Sequence, residues 1–493
     1  MAGYSLKEIS HRLFSNIFSC LRGKRAWHKF RKDTPKLSTA FLVIPSDDHD
    51  VAEWAADYLD EMLDARHLYG AIVLSDSQFV LDRILTATSK SVKIYRVSSR
   101  TITDIMQLAS LYRFDENFIC VSIDKPIGRN GTRYIGSHGI TKKDVFLYGV
   151  YGLAPYRISY SKPRIIRKSR WKTLCKQYPS IAIPGILLTR VMVGYFQYIR
   201  IARRYGSDVS IFSTAWHGTG DYYICGMLLS DFLHEHEINN YVFLVNSHGS
   251  EVKVTQLFDI YRDHVMQIKN IEALSRFNEF MQLDASLCYR LEPSDQLGYI
   301  GEYLKGFKGF NLIDSYIWCG FNFSHKPNED MPNFECDSGK VLELFSKYDL
   351  KRGKTVLLSP YSTCSAQYCP PKVMWEKIAQ DLANAGYTVA TNCFNAEECI
   401  KNTIPLSLSY NEIVPFLDTA GGFIGIRSGL CDIISTSVCK KVVIHLYYSD
   451  FWPNGMSKIF VGLKNMGLCC DVTELEYLDN EAEIEKEIQK RFI

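Results

Sequence analysis

A stretch from Val414 to Leu446, VPFLDTAGGFIGIRSGLCDIISTSVCKKVVIHL, constrains the fold more than any other part of the chain. An apolar segment runs into Gly421-Gly422, and a strand predicted over 423–426 stops at Arg427-Ser428-Gly429. A helical run over 430–437 follows, and after Lys440-Lys441 a second strand spans 442–446. A helix that starts directly at a strand end leaves its first backbone N–H groups unpaired, and its dipole adds partial positive charge at the same point. Such a turn can seat a phosphate, with Arg427 placed to add a two-pronged clamp. The same residues also fit an ordinary strand–helix–strand crossover in which Gly429 serves only the turn. The surrounding sequence has to decide.

That sequence alternates in the same way. TAFLVIP (39–45) reads as a buried strand, a helix is expected over 51–63, and strands over 71–74, 92–97 and 118–123 alternate with helices over 79–86 and 102–112. A second unit opens at Val209 with SIFST, the loop AWHGTG and a helix from about Asp221-Tyr222, then a strand over 241–245 and a helical run over 254–261. A third begins with a strand over 355–360, a helix over 373–385, a strand over 387–390 and a helix over 411–417. Strands alternating with helices of this length indicate parallel sheets covered by helices. The resulting division is a basic amphipathic segment 1–36, an α/β domain 37–155, a basic helical linker 156–204, a second α/β domain 205–345 and a third 346–493. Residues Ser46-Asp47-Asp48-His49-Asp50, after the first strand, read as the cap of the following helix before they read as a metal-binding turn.

With 493 residues, 46% of them hydrophobic, the chain can bury several cores. Its formal net charge of +3 gives no global basic field, so nucleic acid is not expected as a partner. Fifteen cysteines occur without a CxxC pair, which fits reduced buried thiols in a cytoplasmic protein better than disulfides or a zinc site. The N-terminus lacks a secretory signal pattern, and the most apolar run, 181–199, is interrupted by Arg190.

Charge is unevenly placed. Residues 1–36 hold nine Lys and Arg against Glu8 and Asp33, with Leu6, Ile9, Leu13, Ile17 and Leu21 at helical spacing and Phe14 and Phe18 beside them. Residues 157–204 hold twelve Lys and Arg and no acid. Each is readable as a solvated basic face. Two of them in a near-neutral chain favour an anionic membrane surface, reached peripherally from the inner face, or an anionic lipid-linked substrate.

The loop Ala215-Trp216-His217-Gly218-Thr219-Gly220-Asp221 lies between a strand and a helix. Gly218 and Gly220 allow close backbone approach to a ligand, and His217 or Asp221 can act as general base toward a hydroxyl. Asp221 also fits a plain helix-capping residue. The spacing is not GxGxxG, so a nicotinamide enzyme gets little support. In the third unit, SPYSTCS (359–365) offers the hydroxyls of Ser362 and Thr363 at a strand end, where ligands of open parallel sheets sit.

Taken together, VLLSPYSTCSAQYCPPKVMWEKIAQDLANAGYTVAT, LSLSYNEIVPFLDTAGGFIGIRSGLCDIISTSVCKKVVIHL and HGTGDYY resemble the heptosyltransferase-type (family 9-like) GT-B glycosyltransferases, over roughly 205–450. Two departures stand out. The family's usual lysine after the first C-terminal strand is replaced here by Gln367 or Ser365. Its Asp-Thr-Gly-Leu-x-His turn is Arg427-Ser428-Gly429-Leu430-Cys431-Asp432.

The resemblance implies a GT-B-like pair of Rossmann-like domains, here with an additional N-terminal α/β domain. It implies transfer of a sugar from a nucleotide-sugar donor to a glycan or lipid-linked acceptor in bacterial surface polysaccharide or lipopolysaccharide synthesis, inverting and without metal or other cofactor. Arg427, Ser428, Gly429, Leu430 and Asp432, with Ser362 and Thr363, would hold the donor. Asp221 or His217 would be the base. Two alternatives stay open: a related enzyme such as a polysaccharide pyruvyltransferase or a nucleotide-sugar epimerase, and a non-catalytic nucleotide- or glycan-binding scaffold.

Overall fold

Three separate parallel sheets organise the described residues. The computed structural model describes residues 6–31, 39–43, 70–89, 91–111, 118–120, 191–214, 218–246, 251–281, 288–291, 311–321, 323, 325–334, 338–362, 369–393, 398–446 and 456–493. The expected turn 46–50, the helix over 51–63, and the loop residues Ala215, Trp216, His217 and Thr363 lie outside these residues.

The first unit begins with helix α1 (Leu6–Arg31), followed by strands β1 (Thr39–Val43) and β2 (Gly70–Ser75), helix α2 (Gln78–Ala87), strand β3 (Ser91–Arg96), helix α3 (Ser99–Leu111) and strand β4 (Phe118–Cys120). The four strands run parallel in the order β3-β2-β1-β4. Ile72, Val73 and Leu74 are fully buried, the uninterrupted apolar run expected of a strand covered on both faces. Helix α1 is part of this unit. A β-carbon added at Gly23 would lie 2.1 Å from the Asp104 carbonyl oxygen, so α1 and α3 touch backbone to backbone there. Arg22 donates to both oxygens of Asp104 at 2.7 Å, and Ser19 adds a third bond. Burial alone would raise the Asp104 carboxyl; the bonds from Arg22 and Ser19 outweigh it and hold the group below its ordinary value.

The second unit contains helix α4 (Met192–Tyr205), strand β5 (Ser210–Thr214), helix α5 (Thr219–Glu235), strands β6 (Tyr241–Asn246) and β7 (Val265–Ile268), helix α6 (Ile271–Met281) and strand β8 (Cys288–Leu291), with strand order β7-β6-β5-β8. The helix expected over 254–261 is instead a short α-helical piece (Glu251–Thr255) and a 3-10 turn (Asp259–Tyr261). Val254, Leu257, Phe258 and Tyr261 all turn inward there, and Phe258 fills the space left by the absent side chain of Gly226. Helix α6 packs against α4 on one side and against α1 and α3 on the other, joining the first two units in one apolar layer.

The third unit opens with helix α7 (Ser338–Lys347) and strand β9 (Thr355–Ser359). Helix α8 (Lys372–Asn384), strands β10 (Thr388–Asn392) and β11 (Ile404–Leu406), helix α9 (Tyr410–Ala420), strand β12 (Gly421–Ile426) and helix α10 (Gly429–Ile433) follow. Strand β13 (Lys440–Leu446), helix α11 (Met456–Val461), strand β14 (Val472–Tyr477) and helix α12 (Glu481–Phe492) complete it. Its six strands are all parallel, in the order β11-β10-β9-β12-β13-β14. Helix α8 buries Met374, Trp375, Ile378, Ala379 and Leu382 at three- and four-residue spacing. Helix α9 closes at Gly421, whose φ of 99° suits only glycine, while Gly353 packs against the position a β-carbon would take. The helical run expected over 430–437 is α10 followed by a 3-10 turn, Ile434–Thr436. One apolar core joins the second and third units, running from Tyr222, Tyr223 and Met227 to Phe416, Leu417, Cys431 and Ile434.

Candidate functional site

In parallel sheets, ligand-facing turns gather at the carboxyl ends of the strands. Two such turns meet at the junction of the second and third units. On one side, β5 ends at Thr214 and α5 starts after Gly218, whose extended backbone makes it the N-cap. On the other, β12 ends at Ile426 and α10 starts after Ser428, also extended. The end of β9, from which Ser362 follows, lies beside this turn because Gly425 pairs with Ser359 across adjacent parallel strands.

The two helix starts are pressed together. A β-carbon at Gly429 would lie 2.4 Å from the Gly220 nitrogen and 2.6 Å from Thr219 Cβ. One at Gly220 would lie 2.4 Å from Asp432 Oδ2. Only glycine at both positions permits this approach, which accounts for two of the three glycines that the sequence singled out. Thr219 Oγ1 lies 3.5 Å from the Tyr410 hydroxyl, Tyr223 is hydrogen-bonded with Ser435, and Asn311 donates to the Asn465 carbonyl at 2.7 Å. Leu430 is half-buried against the shared core.

Asp221 sits in the first turn of α5, 9% exposed. Its Oδ2 accepts the Gly218 N–H at 3.0 Å, one half of a capping box, so the capping reading of this residue holds. Its Oδ1 accepts the Tyr316 hydroxyl at 2.7 Å, and Thr214 Oγ1 lies 3.2 Å from the same hydroxyl. Tyr316 is fully buried at the start of a π-helical stretch (Tyr316–Phe321) in a region where the sequence offered no regular pattern. The Tyr proton goes to the carboxylate, so Thr214 is the donor of the second bond. Burial pushes the Asp221 carboxyl up to about 6, the two hydrogen bonds restrain the rise, and the Asp432 charge adds to it.

Arg427 occupies a different role from the expected donor clamp. Its side chain is 8% exposed. Nη2 meets Asp432 Oδ1 at 2.6 Å, Nη1 lies 3.3 Å from Oδ2 and also donates to the Ser428 carbonyl, and Nε donates to the Val461 carbonyl at 2.6 Å. The guanidinium thus braces the turn from inside the protein, because it is paired directly with Asp432 in this low-dielectric site. Asp432, 1% exposed, faces the start of α5 on its other side. An anion there complements the dipole of a seventeen-residue helix. Helix α10 has only five residues, and its Gly429 is covered by Gly220. Nothing in the local sequence marks Tyr316 as the partner of Asp221, since 95 residues separate them.

Around the turn, Glu474 accepts the N–H groups of Leu463 and Lys464 and pairs with His445, whose other ring nitrogen lies 2.8 Å from Ser457 Oγ. These bonds fix α11 and the following loop, which present the Val461 carbonyl to Arg427. Burial keeps His445 below its ordinary pKa despite Glu474. Among the described residues, no group of three His, Cys, Asp or Glu side chains is arranged to hold a metal ion, and no helix is long and apolar enough to cross a membrane.

No protein-family model matches the chain. No curated protein matches it. Several solved structures are similar. The ADP-heptose lipopolysaccharide heptosyltransferase II of E. coli is 11% identical over 57% of this chain and 98% of its own, with a TM-score of 0.39. A glycosyl transferase of family 9 from Veillonella parvula is 14% identical over 57% of this chain and 89% of its own, TM-score 0.38. The E. coli heptosyltransferase WaaC with ADP is 9% identical over 57% and 99%, TM-score 0.35. Each of these likenesses covers 57% of this chain.

Proposed function

We propose that the chain is a GT-B-type glycosyltransferase, moving a sugar from a nucleotide-sugar donor to a glycan or lipid-linked acceptor in surface polysaccharide or lipopolysaccharide synthesis. The observation that carries the reading is Asp221. A carboxyl raised to about 6, held by Tyr316 at the start of a helix and facing the strand-to-helix turn of the neighbouring unit, has the properties of a general base. Two of its roughly four acceptor positions are used by Gly218 and Tyr316, which leaves room for a hydroxyl proton.

In this mechanism the acceptor hydroxyl gives its proton to Asp221 as its oxygen forms the bond to the anomeric carbon. The bond to the donor diphosphate breaks, and the sugar passes through an oxocarbenium-like transition state with inversion in a single displacement. The diphosphate takes the leaving electron pair. The Ser428–Leu430 turn supplies backbone N–H groups toward it, with Ser362 and Thr363 from the neighbouring loop. Arg427 acts through the turn it braces. Since Gly220 covers Gly429, the two units must part for a donor to enter and close over it. A metal is not required by this scheme, and the protein works in the cytoplasm, where nucleotide sugars are made.

The test joins binding and transfer. Thermal shift with UDP, GDP, ADP, CMP and dTDP should single out one nucleotide, with and without Mg²⁺; ligand at 100 times its dissociation constant stabilises by about 2.7 kcal/mol. Asp221→Asn should keep that binding and lose transfer. Turnover of phosphoenolpyruvate with no response to any nucleotide would replace this reading by a pyruvyltransferase. One observation favours the non-catalytic scaffold as a second reading: Arg427 and Gly429 are both engaged in the junction itself. It is adopted if Asp221→Asn leaves the pathway's product unchanged in cells.

A further inference from the structure

The apolar stripe expected on the first helix divides between core and solvent. Leu13, Ile17 and Cys20 turn into the core between the first and second units. The face left outside carries Phe14, 63% exposed, Phe18, 59%, and Leu21, 43%, spaced one helical turn apart. Exposed Arg25 and Lys29 continue the same face toward the end of α1. Three large apolar side chains in a row on the solvent face of a helix are not required by the fold.

A second helix of the same layer is built alike. On α4, Gly194, Tyr198 and Ile201 are buried, while Val193 and Phe196 are exposed, Phe196 at 63%. Exposed Arg200, Arg203 and Arg204 follow on that same face. Tyr195, Phe196, the three arginines and Met266 line an open groove of about 770 Å³. The stretch 157–204, which ends in these arginines, holds no acid to neutralise them. Both helices pack against α6.

We propose that the outer faces of α1 and α4 dock the protein on an anionic phospholipid bilayer. Phe14, Phe18, Leu21 and Phe196 enter the boundary between headgroups and acyl chains, and Arg200, Arg203 and Arg204 hold lipid phosphates in the groove. A protein partner would have to match two aromatic patches and a run of exposed arginines at once. An anionic interface matches both by its ordinary composition. The inference goes beyond glycosyl transfer and adds a reason for a lipid-linked acceptor: it places the enzyme where such a molecule lies.

The experiment is flotation of the full-length protein with vesicles of phosphatidylcholine, alone or mixed with phosphatidylglycerol. Binding is expected to the mixed vesicles only, and to weaken as salt is raised. Arg200→Gln/Arg203→Gln/Arg204→Gln should weaken it about 100-fold, at about fivefold per charge near the surface. Phe14→Ser/Phe18→Ser should weaken it at least about tenfold. All these positions are exposed, and circular dichroism checks that the variants fold; the salt series on the wild type needs no variant. Absence of flotation on the mixed vesicles overturns the proposal, as does equal flotation of wild type and both variants. So does a wild-type dimer that Phe14→Ser/Phe18→Ser converts to monomer, which would make the face a contact between copies. Nucleotide thermal shifts on the same samples report the donor site separately, so failure of one reading is distinguishable from failure of the other.

Discussion

The Tyr316 hydroxyl donates a 2.7 Å hydrogen bond to Asp221 Oδ1 across 95 residues of sequence. This bond ties the one strongly raised carboxyl described at the junction to a fully buried ring, and it sets what acid and base should do to the protein.

Activity should rise with pH along a limb centred near 6, because only the ionised Asp221 can take a proton. Stability should move the other way. The folded-state pKa lies above the unfolded value, so this carboxyl favours folding at pH below about 4 and that contribution is lost as pH rises through about 6. At neutral pH Asp221→Asn should therefore be the more stable protein, by an order of 1–3 kcal/mol, with the gap closing in acid. Denaturant titrations of both proteins across this range check the sign.

Tyr316→Phe removes the one hydroxyl that stabilises the ionised form from a side chain. The acid limb of activity should shift to higher pH, and stability should fall by about 1–2 kcal/mol as Thr214 loses its buried partner. A pH–rate profile with an unmoved limb would separate Tyr316 from the ionisation of Asp221.

Arg427→Ala should destabilise by about 3–5 kcal/mol, since it strands the Asp432 carboxylate in a dry site. Arg427→Met/Asp432→Leu should cost clearly less than the single change, whereas a simple donor clamp would make the double variant no better. Urea unfolding of the three proteins decides it.

Gly429→Ala places a methyl 2.4 Å from the Gly220 nitrogen, where backbone would have to yield. A loss of about 1–3 kcal/mol is expected. The junction should open with it, seen as faster proteolysis between the second and third units.

The alternating pattern was enough to place β1, β2, β3, β5, β6, β9, β10, β12 and β13; strands buried on both faces, such as 72–74 in β2 and 356–358 in β9, write a continuous apolar run into the sequence. Glycines where helices start marked Gly220 and Gly429, since close approach leaves no room for any other residue. Periodicity also identified α1 as amphipathic, but it could not say which of two apolar stripes would face the core. That depended on Asp104 and Gly23 bringing α3 onto the helix. The junction was hidden for the same reason. Tyr316 reaches Asp221 only after two units have folded and met, and Arg427 turned from a ligand clamp into a brace because Asp432, five residues on, shares its dry pocket. Local sequence determined which segments form strands and helices and where small residues sit; which charges pair and which carboxyl is dried to a raised pKa was decided by tertiary packing, because desolvation and ion pairing depend on distance in space and not along the chain.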